Sequence, residues 1–201
     1  MTVALVLDTE TTGMFDFKKA SDAEGQPRMI QLAALLVNDA KQMMSCFSLL
    51  IKPDGWTVPA EATAINGITT EDCVRYGVPV CQALEMFRAL FERADLTVAH
   101  NHSFDQKVIR GEAKRMQSGP PFIAVLREWR DQIKPQFCTM QMATAACKLP
   151  KTSTRGAGGF KWPKLEEAYE ILCGKKMTGA HDAWTDARAC AAVYFKLKDG
   201  A

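Results

Sequence analysis

A chain of 201 residues, 47% hydrophobic and 24% charged, can bury one sizeable core, and this composition excludes a disordered or fibrous protein. A formal net charge of +2 argues neither for nor against a nucleic-acid partner, and no apolar run approaches the roughly 20 residues of a membrane span. Seven cysteines, an odd number with no Cys-x-x-Cys pair, read as free thiols serving as small core residues. That usage and the lack of a secretory-type leader point to the reducing cytoplasm, and the expected organisation is a single domain over 1–201.

In chain order, Val3 to Leu7 reads as a buried strand that ends in Asp8-Thr9-Glu10-Thr11-Thr12-Gly13. Phe15 to Arg28 is polar and reads as a surface loop. Met29 to Val37 and Met43 to Ile51 are further apolar runs, separated by an Asn38-Asp39 turn, so an antiparallel meander is expected. Pro59 to Ile65 reads as a short helix stopped near Asn66-Gly67, and Thr69 caps the next helix with acids in its first turn. A longer helix follows Pro79. Leu96 to Ala99 is a buried strand, and Ser103 with Gln106 forms a capping-box pattern that puts Asp105 in the first turn of another helix.

After a break at Ser118-Gly119-Pro120-Pro121, Ala124 to Ile133 is expected to be helical. Gln136 to Thr139 is expected as an edge strand and Met140 to Cys147 as a helix. Lys148 to Lys164 carries five basic residues, Arg155 among them, and no acid, and reads as a mobile basic loop. Helices follow from Pro163 to Gly174 and from Ala183 to Leu197, with Asp182 as the cap of the last and His181 in the loop before it.

Four acids thus stand at element ends: Asp8, Glu10, Asp105 and Asp186. Alternation along a strand points Asp8 and Glu10 the same way, with Cα atoms roughly 6.6 Å apart. A solvated strand end is the plainer reading of those two alone. Convergence of all four needs a reason, because two unit charges about 4 Å apart repel by about 4 kcal/mol at an effective dielectric of 20. Hard carboxylate oxygens select Mg²⁺ or Mn²⁺, and a histidine beside such ions is suited to take a proton from water.

Three segments carry a family resemblance: Asp8-Thr9-Glu10-Thr11-Thr12-Gly13, Val98 to Asp105, and His181-Asp182-Ala183-Trp184-Thr185-Asp186-Ala187. They resemble, in order, the motifs of the DEDDh 3′–5′ exonucleases, which include polymerase proofreading subunits, RNase T and the oligoribonucleases. Ala64 to Thr69 also resembles a family segment, although His is usual where Asn66 stands. The resemblance implies an α/β, ribonuclease-H-like fold with a five-stranded mixed sheet flanked by helices.

It further implies two ions, Mg²⁺ or Mn²⁺. Asp8 would bridge them, Glu10 and Asp186 would complete the first, Asp105 would hold the second, and His181 would be the general base. Thr11, Thr12, Gly13, Met14, Asn101 and Phe104 would meet the terminal nucleotide, and Arg155 a phosphate. Met14 and Phe104 are equally readable as core residues. The expected activity is release of nucleoside 5′-monophosphates from single-stranded DNA 3′ ends, as in proofreading or repair. The alternatives are an RNA-directed exoribonuclease and a non-enzymatic module that binds nucleic acid or a polymerase. Expected partners are single-stranded 3′ ends, with a polymerase or a second copy also compatible with the family, and no membrane.

Overall fold

The computed structural model describes residues 1–116, 134–151 and 159–200. The helix expected over 124–133 and Arg155 of the basic loop lie outside the described residues. Strands β1 (Val3–Thr11), β2 (Met29–Asn38) and β3 (Met43–Leu50) form the expected antiparallel meander. Strands β4 (Leu96–Ala99) and β5 (Gln136–Cys138) add in parallel beside β1, giving the order β3-β2-β1-β4-β5. This is a mixed α/β sheet of the ribonuclease-H-like class.

The sheet is covered on both faces, and period-two alternation sorts its side chains between them. Leu5, Leu7, Leu32, Ala34 and Leu36 face one core with Leu84, Phe87 and Val108. These last three come from helices α3 (Val80–Phe91) and α4 (His102–Arg115). Ala4, Val6, Ala33, Leu35 and Val37 face the other core, against Ala187, Cys190 and Tyr194 of the C-terminal helix. Each fully buried Leu or Val contributes about 1.5–3 kcal/mol, so β2, with no exposed residue along its length, anchors the sheet. Two short helices, α1 (Ala60–Asn66) and α2 (Thr70–Tyr76), lie between β3 and α3. Gly67 ends α1 at φ 73°, and Thr69 with Asp72 forms a full capping box on α2. Helices α5 (Thr139–Cys147), α6 (Leu165–Cys173) and α7 (Ala183–Lys198) complete the described chain. None of these helices is long and apolar enough to cross a membrane.

Two expectations need correction, while the 15–28 segment is the expected loop, exposed over 16–20 yet tied internally. Gln26 is buried and closes it from within, accepting from the Asp16 N–H at 3.0 Å and donating to the Asp16 and Ala20 carbonyls at 2.8 and 3.0 Å. Helix α4 starts at His102, with Asn101 as its N-cap in the left-handed region (φ 72°), so Ser103 is inside the helix and forms no capping box. Asp105 keeps its first-turn position. The cysteines are all free, but only Cys73, Cys147 and Cys190 are buried, and Cys46 is exposed on β3.

An ion pair between half-buried Arg28 and buried Glu112 fixes the turn after β1. Glu112 of α4 accepts from the Arg28 guanidinium at 2.9 Å and from the Met29 N–H at 3.0 Å. The Arg28 backbone in turn brackets Thr12: its carbonyl accepts from the Thr12 N–H at 2.9 Å, and its N–H donates to Thr12 Oγ1 at 2.8 Å.

Candidate active site

Asp8 and Glu10 lie at the C-terminal end of β1 and share one side of it, with Thr9 buried on the other. Thr9 is the link to the second motif. Its N–H and hydroxyl both donate to Asp105 Oδ1, at 3.0 and 2.8 Å, so the first turn of α4 is tied to the strand between the two acids. Asp105 is only 2% exposed.

The third motif is set by a cap. Asp182 is the N-cap of α7 and accepts from the Thr185 N–H and hydroxyl at 3.0 and 2.8 Å. Gln31, the β2 partner of Glu10, grips the same helix end. It donates to Asp182 Oδ1 at 2.9 Å and accepts from the Ala183 N–H at 2.9 Å. Asp186 then falls one turn inside α7, facing β1. His181 sits just before the cap at φ 66°, a left-handed conformation that is strained for a residue with a Cβ. That turn aims its N–H at Asp186 Oδ2, 3.3 Å away. Oxygen or ring-nitrogen atoms of Glu10, His181 and Asp186 lie within 4.8 Å of one another. Asn66 donates to Glu10 Oε2 over a long 3.5 Å.

The acids crowd one another without a counter-charge. Among the described residues, no lysine or arginine pairs with Asp8, Glu10, Asp105 or Asp186. Burial, followed by the charges of Asp105, Asp186 and Glu10, raises the Asp8 carboxyl well above its ordinary range. Burial and the Asp186 charge push Glu10 to about 7. Burial pushes Asp105 to about 7 despite the Thr9 hydrogen bonds, and Asp186 to about 6. Asp182 behaves oppositely. Burial pushes it up as well, but the Gln31 and Thr185 donors outweigh that and hold it below its usual value. The contrast separates a cap satisfied by its hydrogen-bond donors from acids whose burial is offset by few donors. Asp186 Oδ1 is buried and accepts no hydrogen bond among the described residues, so an electron pair in the cluster is left without a partner. Several hard oxygens, raised carboxyl pKa values and an orphaned carboxylate oxygen fit divalent cations of the Mg²⁺ or Mn²⁺ kind.

A cleft of about 480 Å³ opens onto Asp186 and His181, and Met14, Asn101, Trp162 and Lys164 help to line it. Met14 is 81% exposed there, which leaves its thioether free to pack on a flat ligand. His100 also lines the cleft, and its ring bridges Thr139 Oγ1 and the Pro163 carbonyl, each at 2.9 Å. Other candidates sit differently. The Thr11 hydroxyl donates to the Gly13 carbonyl at 2.7 Å, Gly13 is exposed, and Thr12 is engaged with Arg28. Phe104 packs edge-on against Phe15, with ring centroids 6.0 Å apart, next to the core rather than in the cleft. Sequence reasoning missed Gln31, Thr9 and His100. The signal for Gln31 was available: it is one amide inside the otherwise apolar run from Met29 to Val37.

Residues 5–194 match the family model of the RNase T exonucleases. The fold is similar to that of Escherichia coli exonuclease I in complex with a dT13 oligonucleotide, at a TM-score of 0.71 and 19% identity, over 98% of this chain and 41% of that one. The zinc-bound form of the E. coli exonuclease I–ssDNA complex gives a TM-score of 0.73 at 19% identity, over 100% of this chain and 41% of that one. A moderately thermophilic exonuclease I from Methylocaldum szegediense gives 0.68 at 20% identity, over 100% and 41%. The chain therefore spans 41% of the length of these structures, and at such identity the likeness is one of fold. A sequence search of curated proteins found no significant match.

Proposed function

The chain belongs to the RNase T exonuclease family, in its DEDDh branch, and from that premise we propose that it removes nucleoside 5′-monophosphates from the 3′ end of single-stranded DNA. The observation that carries this reading is that Glu10, His181 and Asp186 bring possible ligand atoms within 4.8 Å of one another, while Asp8 feels the charges of Asp105, Asp186 and Glu10. Asp8, Glu10, Asp105 and Asp186 would hold two Mg²⁺ or Mn²⁺ ions. Such ions stabilise the entering and departing oxygens of an in-line displacement at phosphorus.

The chain's own groups do the rest. His181 accepts the proton of the attacking water; its left-handed backbone and its N–H bond to Asp186 keep the ring beside the acids. Met14 and Trp162, on the cleft walls, cover the faces of the terminal base, and the Asn101 amide meets its sugar or base edge. Thr11, Thr12 and Gly13 line the turn past the site, where exposed Gly13 offers its N–H while the Thr12 N–H stays with the Arg28 carbonyl. The bound oligonucleotide of the E. coli exonuclease I structure supports DNA as the substrate. The test is a side-by-side digestion with Mg²⁺ of 3′-labelled DNA and RNA strands of one sequence. Labelled monophosphate from DNA, at a higher kcat/KM than from RNA, is the expected result. Faster release from RNA would reverse the substrate assignment, and no release from either would reject the activity.

A further inference from the structure

Beside the acidic cleft lies a second cavity of opposite character. It encloses about 330 Å³ and is lined by Lys176, Arg188, Tyr169, Thr178 and Thr185, with Met177 on its wall. Met177 also lines the acidic cleft, and Thr185 directly precedes Asp186, so the two depressions share a rim. Lys176 and Arg188 are exposed, and among the described residues neither forms an ion pair with a carboxylate. Arg188 rests over the Trp184 ring at 5.8 Å, which props the guanidinium on the helix surface without neutralising it. Two cations without a carboxylate partner among the described residues, with neighbouring hydroxyls, make an environment for a phosphate.

We propose that this cavity holds an internal phosphodiester of the single-stranded substrate, the one that lies one nucleotide to the 5′ side of the bond being cut. The assignment rests on the nuclease reading of the acidic cleft. With the terminal nucleotide between Met14 and Trp162, the strand must leave the cleft. Leaving over Met177 takes its next phosphate away from the four acids and onto Lys176 and Arg188.

The experiment has two arms, each comparing protein that keeps Lys176 and Arg188 with the exposed-site double variant Lys176→Gln/Arg188→Gln, the first in an Asp8→Asn background and the second in the wild type. In the first, binding of a 5′-labelled thymidine octanucleotide is followed by anisotropy against salt, in an Asp8→Asn background with Ca²⁺, so that nothing is cleaved. The double variant should weaken binding and flatten the slope of log K against log salt by about 0.7 for each phosphate that is no longer neutralised. Equal slopes, or no binding by either protein, overturn the proposal whether or not the enzyme is active. In the second arm, kcat/KM is compared for a dinucleotide, whose one phosphate is the scissile one, and a trinucleotide, which carries one more. The trinucleotide-to-dinucleotide ratio should fall about tenfold or more in the variant, the scale of removing one charge-assisted hydrogen bond. An unchanged ratio, including an equal loss on both substrates, places the effect at the terminal nucleotide and overturns the proposal. Binding of the octanucleotide with the expected slope in the Asp8→Asn background, together with a wild type that hydrolyses neither short substrate, contradicts the nuclease reading instead.

Discussion

Asp186 Oδ1 is a buried carboxylate oxygen that accepts no hydrogen bond among the described residues, while the other oxygen of the same group takes the His181 N–H. Leaving a buried charged acceptor unsatisfied costs about 1–3 kcal/mol or more, so the group is poised for a cation. His181 is its neighbour, held in a strained conformation by the loop that carries it. If that imidazole is the base, His181→Asn should lower kcat by about 10²–10⁴-fold with little change in KM, as read by steady-state kinetics. A KM effect alone would make His181 a substrate contact instead. Asn101 is the second left-handed residue on the cleft wall, and its backbone conformation is one that asparagine tolerates better than most.

At the scale of elements, the site is where four secondary structures are stitched together in two pairs. Thr9 ties β1 to α4, and Gln31 ties β2 to α7. Gln31 is buried, and Gln31→Leu would leave the Ala183 N–H without its acceptor and Asp182 with one donor fewer. We expect a stability loss of about 1–3 kcal/mol in urea unfolding. We also expect a fall in kcat, since His181 and Asp186 flank that helix end. Unchanged stability would mean that the two hydrogen bonds contribute nothing net.

These stitches mark the limit of what the linear chain reveals. The period of two that turns Asp8 and Glu10 together, the Asp182 cap and the glycine stops are local rules, readable from neighbouring residues. Thr9 to Asp105 spans 96 positions and Gln31 to Asp182 spans 151, so their pairing exists only once β1, β2 and the helices have packed. Ser103 misled for a related reason: the Asn101 backbone, turning into the left-handed region after β4, had already begun the helix. The closure of the 15–28 segment by Gln26 is likewise a three-dimensional fact, invisible in its polar composition.

For the molecule as a whole, the raised carboxyl groups tie stability to pH and to metal. Glu10 moves from an ordinary 4.5 to about 7, Asp105 from 3.8 to about 7, and Asp186 from 3.8 to about 6. The folded, metal-free protein therefore keeps protons that the unfolded chain has released. Its stability from these groups is complete below about pH 4 and is lost as pH rises through about 7. Thermal unfolding in EDTA should show Tm falling across that window. Saturating Mg²⁺ or Mn²⁺ should raise Tm most at its upper end, where fewer protons compete with the ions for the carboxylates. A metal-free Tm that rises from pH 4 to 7 would contradict the clustering of these acids. The ion pair of Arg28 with buried Glu112 lies outside this cluster and braces the turn that carries Met14.

The central claim is that Asp8 stands among acids whose shared task is to hold divalent ions against a 3′-terminal phosphodiester. The most direct measurement follows monophosphate release from a 3′-labelled single strand by wild-type and Asp8→Asn proteins, with Mg²⁺ and with EDTA. The account predicts release only by the wild type with Mg²⁺, at least about 10³-fold faster than by the variant, while Asp8→Asn raises the metal-free Tm by removing one like charge. Full activity in Asp8→Asn, or equal release in EDTA, would contradict it.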